Sequence, residues 1–155
     1  MSEITINNSP VHSPVSIIRP YGYVLASYTC GWHTGVDLVP YGSTPTNPPI
    51  FPVKAGTVVY VLNSTSDALG VQVQIRDDDG RYWRYCHMVL NSITVGVGDR
   101  VTTDTQIGIM GTTGNSTRNS FTFRIFYYTK LAMLYIFKSL HSTWNSKRNR
   151  YYNKL

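Results

Sequence analysis

Hydrophobic and polar residues alternate in short runs through the middle of the chain, with the two-residue period of β-strands. The clearest run is Val71–Arg76, where Val, Gln, Val, Gln and Ile precede the turn residues Asp77–Gly80. Arg81–Met88 then returns, and two strand-like runs joined by a short turn predict a β-hairpin. The three aspartates of the turn lack the ligand spacing of a calcium loop, so we interpret them as a solvated turn.

The neighbouring segments also favour strands. Pro52–Leu62 predicts a strand pair or one bent strand, Thr94–Met110 predicts short strands, and Phe121–Tyr128 has strand-like composition. Arg19–Pro52 is punctuated by Pro and Gly and is expected to be mostly loop. No helical pattern is found before residue 125. The sequence therefore predicts a mainly β fold, with a compact antiparallel two-sheet or barrel-like core and few or no helices.

Length and composition are those of one globular domain. The 155 residues suffice to bury a core, and no segment reaches the ~18 consecutive apolar residues of a membrane span. Met1–Pro10 is polar and lacks the apolar region of a signal peptide, so a protein acting outside the cell would need another route, or is part of a longer chain. The cysteines, Cys30 and Cys86, are too few for a disulfide framework; one bridge is an option, and two partly buried thiols are the interpretation we favour.

The charge along the chain changes abruptly near residue 118. Residues 1–117 have a net charge of −2, whereas residues 118–155 hold eight basic residues and no acid. All 12 glycines and all 8 prolines also precede residue 118. A membrane-surface segment or a nucleic-acid arm would fit a basic tail, but neither has a motif here, and such arms are seldom rich in Phe, Tyr, Ile and Leu. We interpret residues 124–155 as an aberrant basic and aromatic tail and expect no nucleic-acid partner.

Three residues are candidates for chemistry. His33 and Asp37 are separated by three residues that include a glycine, so both side chains could converge on one ion. Imidazole and carboxylate are zinc ligands, and a hydrolytic zinc needs about three protein ligands and an open position for water. One ligand is therefore still missing. His87 lies near the end of the predicted hairpin; alone it is more often a packed histidine, and beside a zinc pair it is a candidate to orient water or to stabilise an oxyanion.

The order of these motifs resembles the lysostaphin/LytM-type zinc endopeptidases of peptidoglycan. Gly31–Asp37 is similar to the first zinc motif of that family, Pro52–Val59 to the strand that follows, and Tyr85–Met88 to the element with a catalytic histidine. Val97–Val101, Gln106–Gly108 and Gly111–Thr117 resemble the closing run. The resemblance spans about residues 19–117 and implies that His33 and Asp37 bind Zn²⁺, that His87 is catalytic and that peptidoglycan is the substrate. Within the family, the chain most resembles domains on the tails of short-tailed phages.

The same resemblance implies a Gly-x-His-Leu-His-Phe-Glu run after Thr117, which this chain lacks. Ser120 occupies the position of the second catalytic histidine and Thr122 that of the third zinc ligand, and neither hydroxyl replaces an imidazole. One choice of codons for residues 118–125, AGG AAC TCA TTT ACA TTT CGA ATA, reads Gly-Thr-His-Leu-His-Phe-Glu when its first nucleotide is skipped. We therefore hypothesise a frameshift near residue 118.

These observations lead to one main prediction and one alternative. The main prediction is a zinc metalloendopeptidase domain at residues 19–123, after a linker or edge segment at 1–18, that is impaired in this chain. Its expected partners are peptidoglycan and other phage tail proteins, and its expected location is the virion tail or the cell wall. The alternative is a degenerate, non-catalytic fold that binds the wall or serves as a scaffold. His12 and His141 are weaker candidates for the third ligand, because neither has a motif around it.

Overall fold

A computed structural model of the chain describes residues 8–26, 28 and 31–116 and the backbone of residues 121–126. Every regular element in these ranges is a β-strand. No helix among the described residues is long and apolar enough to cross a lipid bilayer. The strands are β1 (Val15–Arg19), β2 (Val36–Pro40), β3 (Pro49–Ile50), β4 (Gly56–Leu62), β5 (Val71–Asp77), β6 (Tyr82–Met88), β7 (Arg100–Val101), β8 (Gly108–Ile109) and β9 (Phe121–Phe126).

The strands form two antiparallel sheets. Seven of them pair in the order β1-β2-β9-β6-β5-β4-β7, and β3 pairs with β8 in a small second sheet. Strand β9 lies between β2 and β6, so the last described strand joins the segment after His33 to the segment that contains His87. The prediction of a mainly β, antiparallel two-sheet fold without helices in this part of the chain is confirmed.

The predicted hairpin is formed by β5 and β6, which pair from Val71 opposite Met88 to Arg76 opposite Tyr82. Gly80 closes its turn with a φ of 81°, a backbone conformation that glycine adopts without steric cost. The interpretation of all three aspartates as solvated is wrong for Asp77. This side chain is buried, and it accepts hydrogen bonds from the Arg81 amide (2.8 Å) and the Trp83 indole (2.8 Å).

One buried cluster packs against one face of the large sheet, and we call it the core cluster. It consists of Val11, Val36, Leu38, Ile50, Val53, Val58, Val71, Val73, Ile75, Trp83, Tyr85, Met88, Val101, Ile107 and Met110. Because side chains alternate across a strand, the core positions Val36 and Leu38 on β2 leave Asp37 on the opposite face. This alternation positions the candidate site on the face of the sheet away from the core cluster.

The two ends of the chain differ in what the structure describes. Val11 lies in the core cluster and β1 is an edge strand, so packed structure begins within the segment expected to be a linker or edge segment. Ser120, His141, Cys30 and the basic tail beyond β9 lie outside the described residues. The domain limits at residues 18 and 123 therefore stay predictions.

Candidate active site

The side chains of His33, three residues before β2, and of Asp37, near the beginning of β2, lie side by side. The His33 backbone is fixed by two hydrogen bonds, from its amide to the Tyr23 carbonyl and from the Gly22 amide to its carbonyl, each 2.8 Å long. Both side chains are buried, and Nε2 of His33 lies 3.2 Å from Oδ1 of Asp37. The structure thus brings together the two residues that the sequence nominated as metal ligands.

Two further side chains surround this pair. Nη1 of Arg19, at the end of β1, lies 3.5 Å from Oδ2 of Asp37, so a histidine and an arginine approach the two carboxylate oxygens. The ring of Tyr28 stacks on that of His33 with centroids 5.2 Å apart. Sequence reasoning did not find the Arg19 contact, because it depends on the pairing of Arg19 with Asp37 across β1 and β2.

The position that the sequence predicts for the third ligand lies next to the pair in the sheet. Thr122 on β9 is the backbone partner of Asp37 on β2, so the strand that should supply the last ligand is adjacent to Asp37. Its residue, however, is a threonine. Among the described residues, no group of three or more His, Cys, Asp or Glu side chains could hold a metal ion.

The donors present fit part of a zinc site. Two ligands about 2.0–2.2 Å from one tetrahedral ion are about 3.3–3.5 Å apart, and the His33–Asp37 separation of 3.2 Å is close to this. The Nδ1 atom of His33 is also buried without a hydrogen-bond partner among the described residues. Two donors are nevertheless fewer than the three protein ligands of a catalytic zinc. The residues that the structure describes therefore supply only part of such a site.

His87 occupies a β-bulge near the end of β6. The pairing of β5 with β6 shifts between Val71 and Val73, whose partners are Met88 and Tyr85, so β6 has one residue more than β5 there. His87 has a φ of 58°, which is uncommon for a residue other than glycine. Because Tyr85 and Met88 both belong to the core cluster, the two bulge residues between them share the opposite face, which is the face of Asp37.

The His87 ring has a defined proton arrangement. Its Nδ1 lies 2.7 Å from the carbonyl oxygen of Thr113. A carbonyl oxygen only accepts hydrogen bonds, so Nδ1 carries the proton and, in the neutral ring, Nε2 holds the lone pair. This is the form that a general base needs.

Two further ring contacts involve His12, a weaker candidate for the third ligand, and the pair of Trp32 and Tyr21. His12 stacks on Phe51 with ring centroids 3.8 Å apart. Trp32 and Tyr21 form an edge-to-face pair with centroids 5.1 Å apart. Cys86, the other residue of the bulge, is buried.

The chain is similar to known proteins in sequence and in fold. Residues 31–133, more than half of the chain, match the sequence profile of a family described as peptidase family M23. The match begins just before His33 and extends ten positions beyond the predicted domain end at residue 123.

Three solved structures share the fold. The catalytic domain of the antimicrobial peptidase lysostaphin from Staphylococcus simulans is 28% identical, with a TM-score of 0.60 over 74% of this chain and 81% of that chain. The catalytic domain of the prophage-encoded M23 protein EnpA from Enterococcus faecalis, in a variant form, is 29% identical, with a TM-score of 0.57 over 73% and 82%. A zinc-containing peptidase from Vibrio cholerae is 24% identical, with a TM-score of 0.63 over 79% of this chain and 37% of that chain, and it shows the fold alone.

Proposed function

Because the chain belongs to peptidase family M23, we propose that it is a peptidoglycan endopeptidase domain whose zinc site is incomplete in this sequence. The substrate is the peptide part of the bacterial cell wall, and the proposed metal ligands are His33 and Asp37. His87 is the proposed catalytic histidine. The observation that supports this most directly is the His33–Asp37 pair, held at the spacing of two ligands of one ion and adjacent to Thr122 on β9.

The proposed loss of peptidase activity follows from the residues that stand where two histidines are expected. A threonine in place of the third ligand removes one of about three protein ligands, and a serine at position 120 removes a proton-transfer group that contributes about 10²–10⁴ in rate. We therefore propose that the chain as written has little or no peptidase activity. Measurable wall lysis by the purified chain that a chelator abolishes would contradict this.

The origin and location of the domain are further parts of the proposal. A reading-frame change near residue 118 accounts for both missing histidines at once, and the proposed location of an intact form is a phage tail or the bacterial cell wall. The gene sequence tests the frame hypothesis, because codons other than TCA for Ser120 and ACA for Thr122 would exclude it.

The decisive experiment restores the two histidines. The Ser120→His/Thr122→His double variant is expected to bind one Zn²⁺ per chain, measured by competition with a chromogenic chelator, and to release peptides from purified peptidoglycan. Addition of Asp37→Ala to this double variant is the matched control and should abolish both signals. A double variant that folds but neither binds zinc nor cleaves would refute the proposed site.

A second candidate function is a non-catalytic wall-binding or scaffold domain. The observation in its favour is that Asp37 contacts both Arg19 and His33, so its buried charge is offset without a metal ion. A scaffold should sediment with peptidoglycan as the unaltered chain, and it should stay inert after the double substitution. Peptide release by the double variant would contradict a long-settled scaffold.

A further inference from the structure

The Gly111–Asn115 turn packs closely against the segment of residues 68–70 that leads into β5. Gly70 and Gly114, with φ of 62° and 74°, pack against each other across this contact. A Cβ atom on Gly70 would collide with Thr113, and one on Gly114 would collide with the Gly70 amide. The Asn115 amide also donates to the Ala68 carbonyl over 2.9 Å. The turn therefore has one tightly defined position relative to β5 and β6.

Thr113, at the centre of this turn, contacts both strands through its side chain. Its hydroxyl accepts from the Val71 amide (2.9 Å) and donates to the Met88 carbonyl (2.6 Å). Val71 and Met88 are the paired residues that close the bulge on its far side. One hydroxyl thus connects the two strands at the point where the extra residue enters β6.

The backbone of Thr113 contacts the ring of His87. Its carbonyl lies 2.7 Å from Nδ1, while the His87 amide donates to the Leu69 carbonyl over 2.9 Å. The residue is thus held at its ring and at its backbone by two different segments. Both contacts require His87 to keep its φ of 58°. Residues other than glycine adopt this backbone conformation only at a cost in free energy.

We propose that Thr113 is a positioning residue for His87: its carbonyl fixes the Nδ1–H form of the ring, and its hydroxyl fixes the bulge that turns the ring to the Asp37 face. Oriented in this way, the imidazole presents Nε2 away from the turn, as a general base that accepts a proton requires. The catalytic meaning of this arrangement rests on the proposed function, whereas the arrangement itself can be measured without activity.

The first test uses the unaltered chain. Nitrogen-15 NMR of the histidine rings, at a pH where the imidazole is neutral, distinguishes the two proton arrangements. The expected result for His87 is a protonated Nδ1 and an unprotonated Nε2. A His87 ring protonated at Nε2 would overturn the proposal without any substitution.

The second test separates the hydroxyl from the carbonyl. Thr113→Val keeps the shape and the carbonyl but removes the hydroxyl, Thr113→Ser restores it, and Thr112→Val is the matched control on the neighbouring exposed threonine. In Thr113→Val we expect the His87 amide, whose own acceptor is Leu69, to exchange about tenfold faster and the Nδ1–H population to fall. The serine variant and the control should keep wild-type behaviour.

The outcomes distinguish this inference from the proposed function. A Thr113→Val variant that keeps both the ring form and the slow His87 amide would refute the positioning role. If the valine variant does not fold, the serine variant decides, because a folded serine variant with a proton on Nε2 would refute it equally. In the Ser120→His/Thr122→His background, Thr113→Val should lower kcat with little change in KM. If the double variant itself has no activity, that result counts against the proposed function and not against the positioning role of Thr113.

Discussion

Replacing Tyr85 with phenylalanine removes one hydroxyl group from the core beneath β6. Tyr85 is fully buried, and its hydroxyl accepts a hydrogen bond from the Val53 amide over 3.0 Å. Val53 is also fully buried, so phenylalanine leaves this N–H without its acceptor. An unsatisfied buried donor costs about 1–3 kcal/mol, and we expect Tyr85→Phe to lower the free energy of unfolding at neutral pH by about 2 kcal/mol.

The same hydroxyl predicts how this difference changes with pH. Burial raises the pKa of Tyr85 above its ordinary value of 10.0, because a phenolate would lose its hydration in the core. The folded protein then keeps a proton that the unfolded chain releases. The stability linked to Tyr85 is fully present below about pH 10 and falls above it by about 1.36 kcal/mol per pH unit, which amounts to about 2 kcal/mol at pH 11.5.

The phenylalanine variant has no phenol and should lose this part of the pH dependence. The two proteins should therefore differ by about 2 kcal/mol at pH 7–9 and converge near pH 11.5. Urea unfolding followed by tryptophan fluorescence, in reducing buffer between pH 7 and 11.5, measures both values. Tyr23→Phe is the control, because Tyr23 is exposed. A stability difference that stays constant from pH 9 to 11.5 would refute the reasoning.

Three further predictions follow from single contacts. Asp77→Ala removes the acceptor of three hydrogen bonds, including one from a buried indole, and should cost about 3 kcal/mol in urea unfolding. Gly56→Ala would drive a Cβ into a backbone carbonyl of β5, whereas a Cβ at Gly96 would have its nearest neighbour 3.8 Å away. Gly56→Ala should therefore lower the melting temperature, and the control Gly96→Ala should not. The hydrogen bond from Arg100 lowers the pKa of Asp78, so Arg100→Gln should raise this pKa in a carboxyl NMR titration, and an unchanged value would contradict the pairing.

Much of the fold follows from local sequence patterns. The alternation in Val71–Arg76 and Arg81–Met88 predicts the hairpin, because the period of side chains along a strand is a local property. Local patterns did not predict the burial of Asp77. Composition marks a polar turn, but burial of one of its three carboxylates depends on the indole of Trp83, which only the paired strands bring within 2.8 Å.

The candidate site also has features that the local sequence predicts and features that only the packing of distant segments produces. The His33–Asp37 spacing predicts that the two side chains meet, because three intervening residues with a glycine can bend sharply, and the structure places Nε2 and Oδ1 3.2 Å apart. The resemblance to the endopeptidases also predicts that Thr122 occupies the third ligand position. That Thr122 is the strand neighbour of Asp37 depends on β9 pairing between β2 and β6, a contact between segments far apart in the chain.

The sequence by itself determined the residue types at the site, the order of the motifs and the strand pattern. Each of these is a property of the linear chain and needs no contact between distant segments. Tertiary structure alone decided the bulge at His87, the contact of Arg19 with Asp37 and the hydrogen bond between the Thr113 carbonyl and the His87 ring. Each of these needs two or more segments to pack at one register. A shift of one residue in that register would turn the same side chains to the opposite face of the sheet.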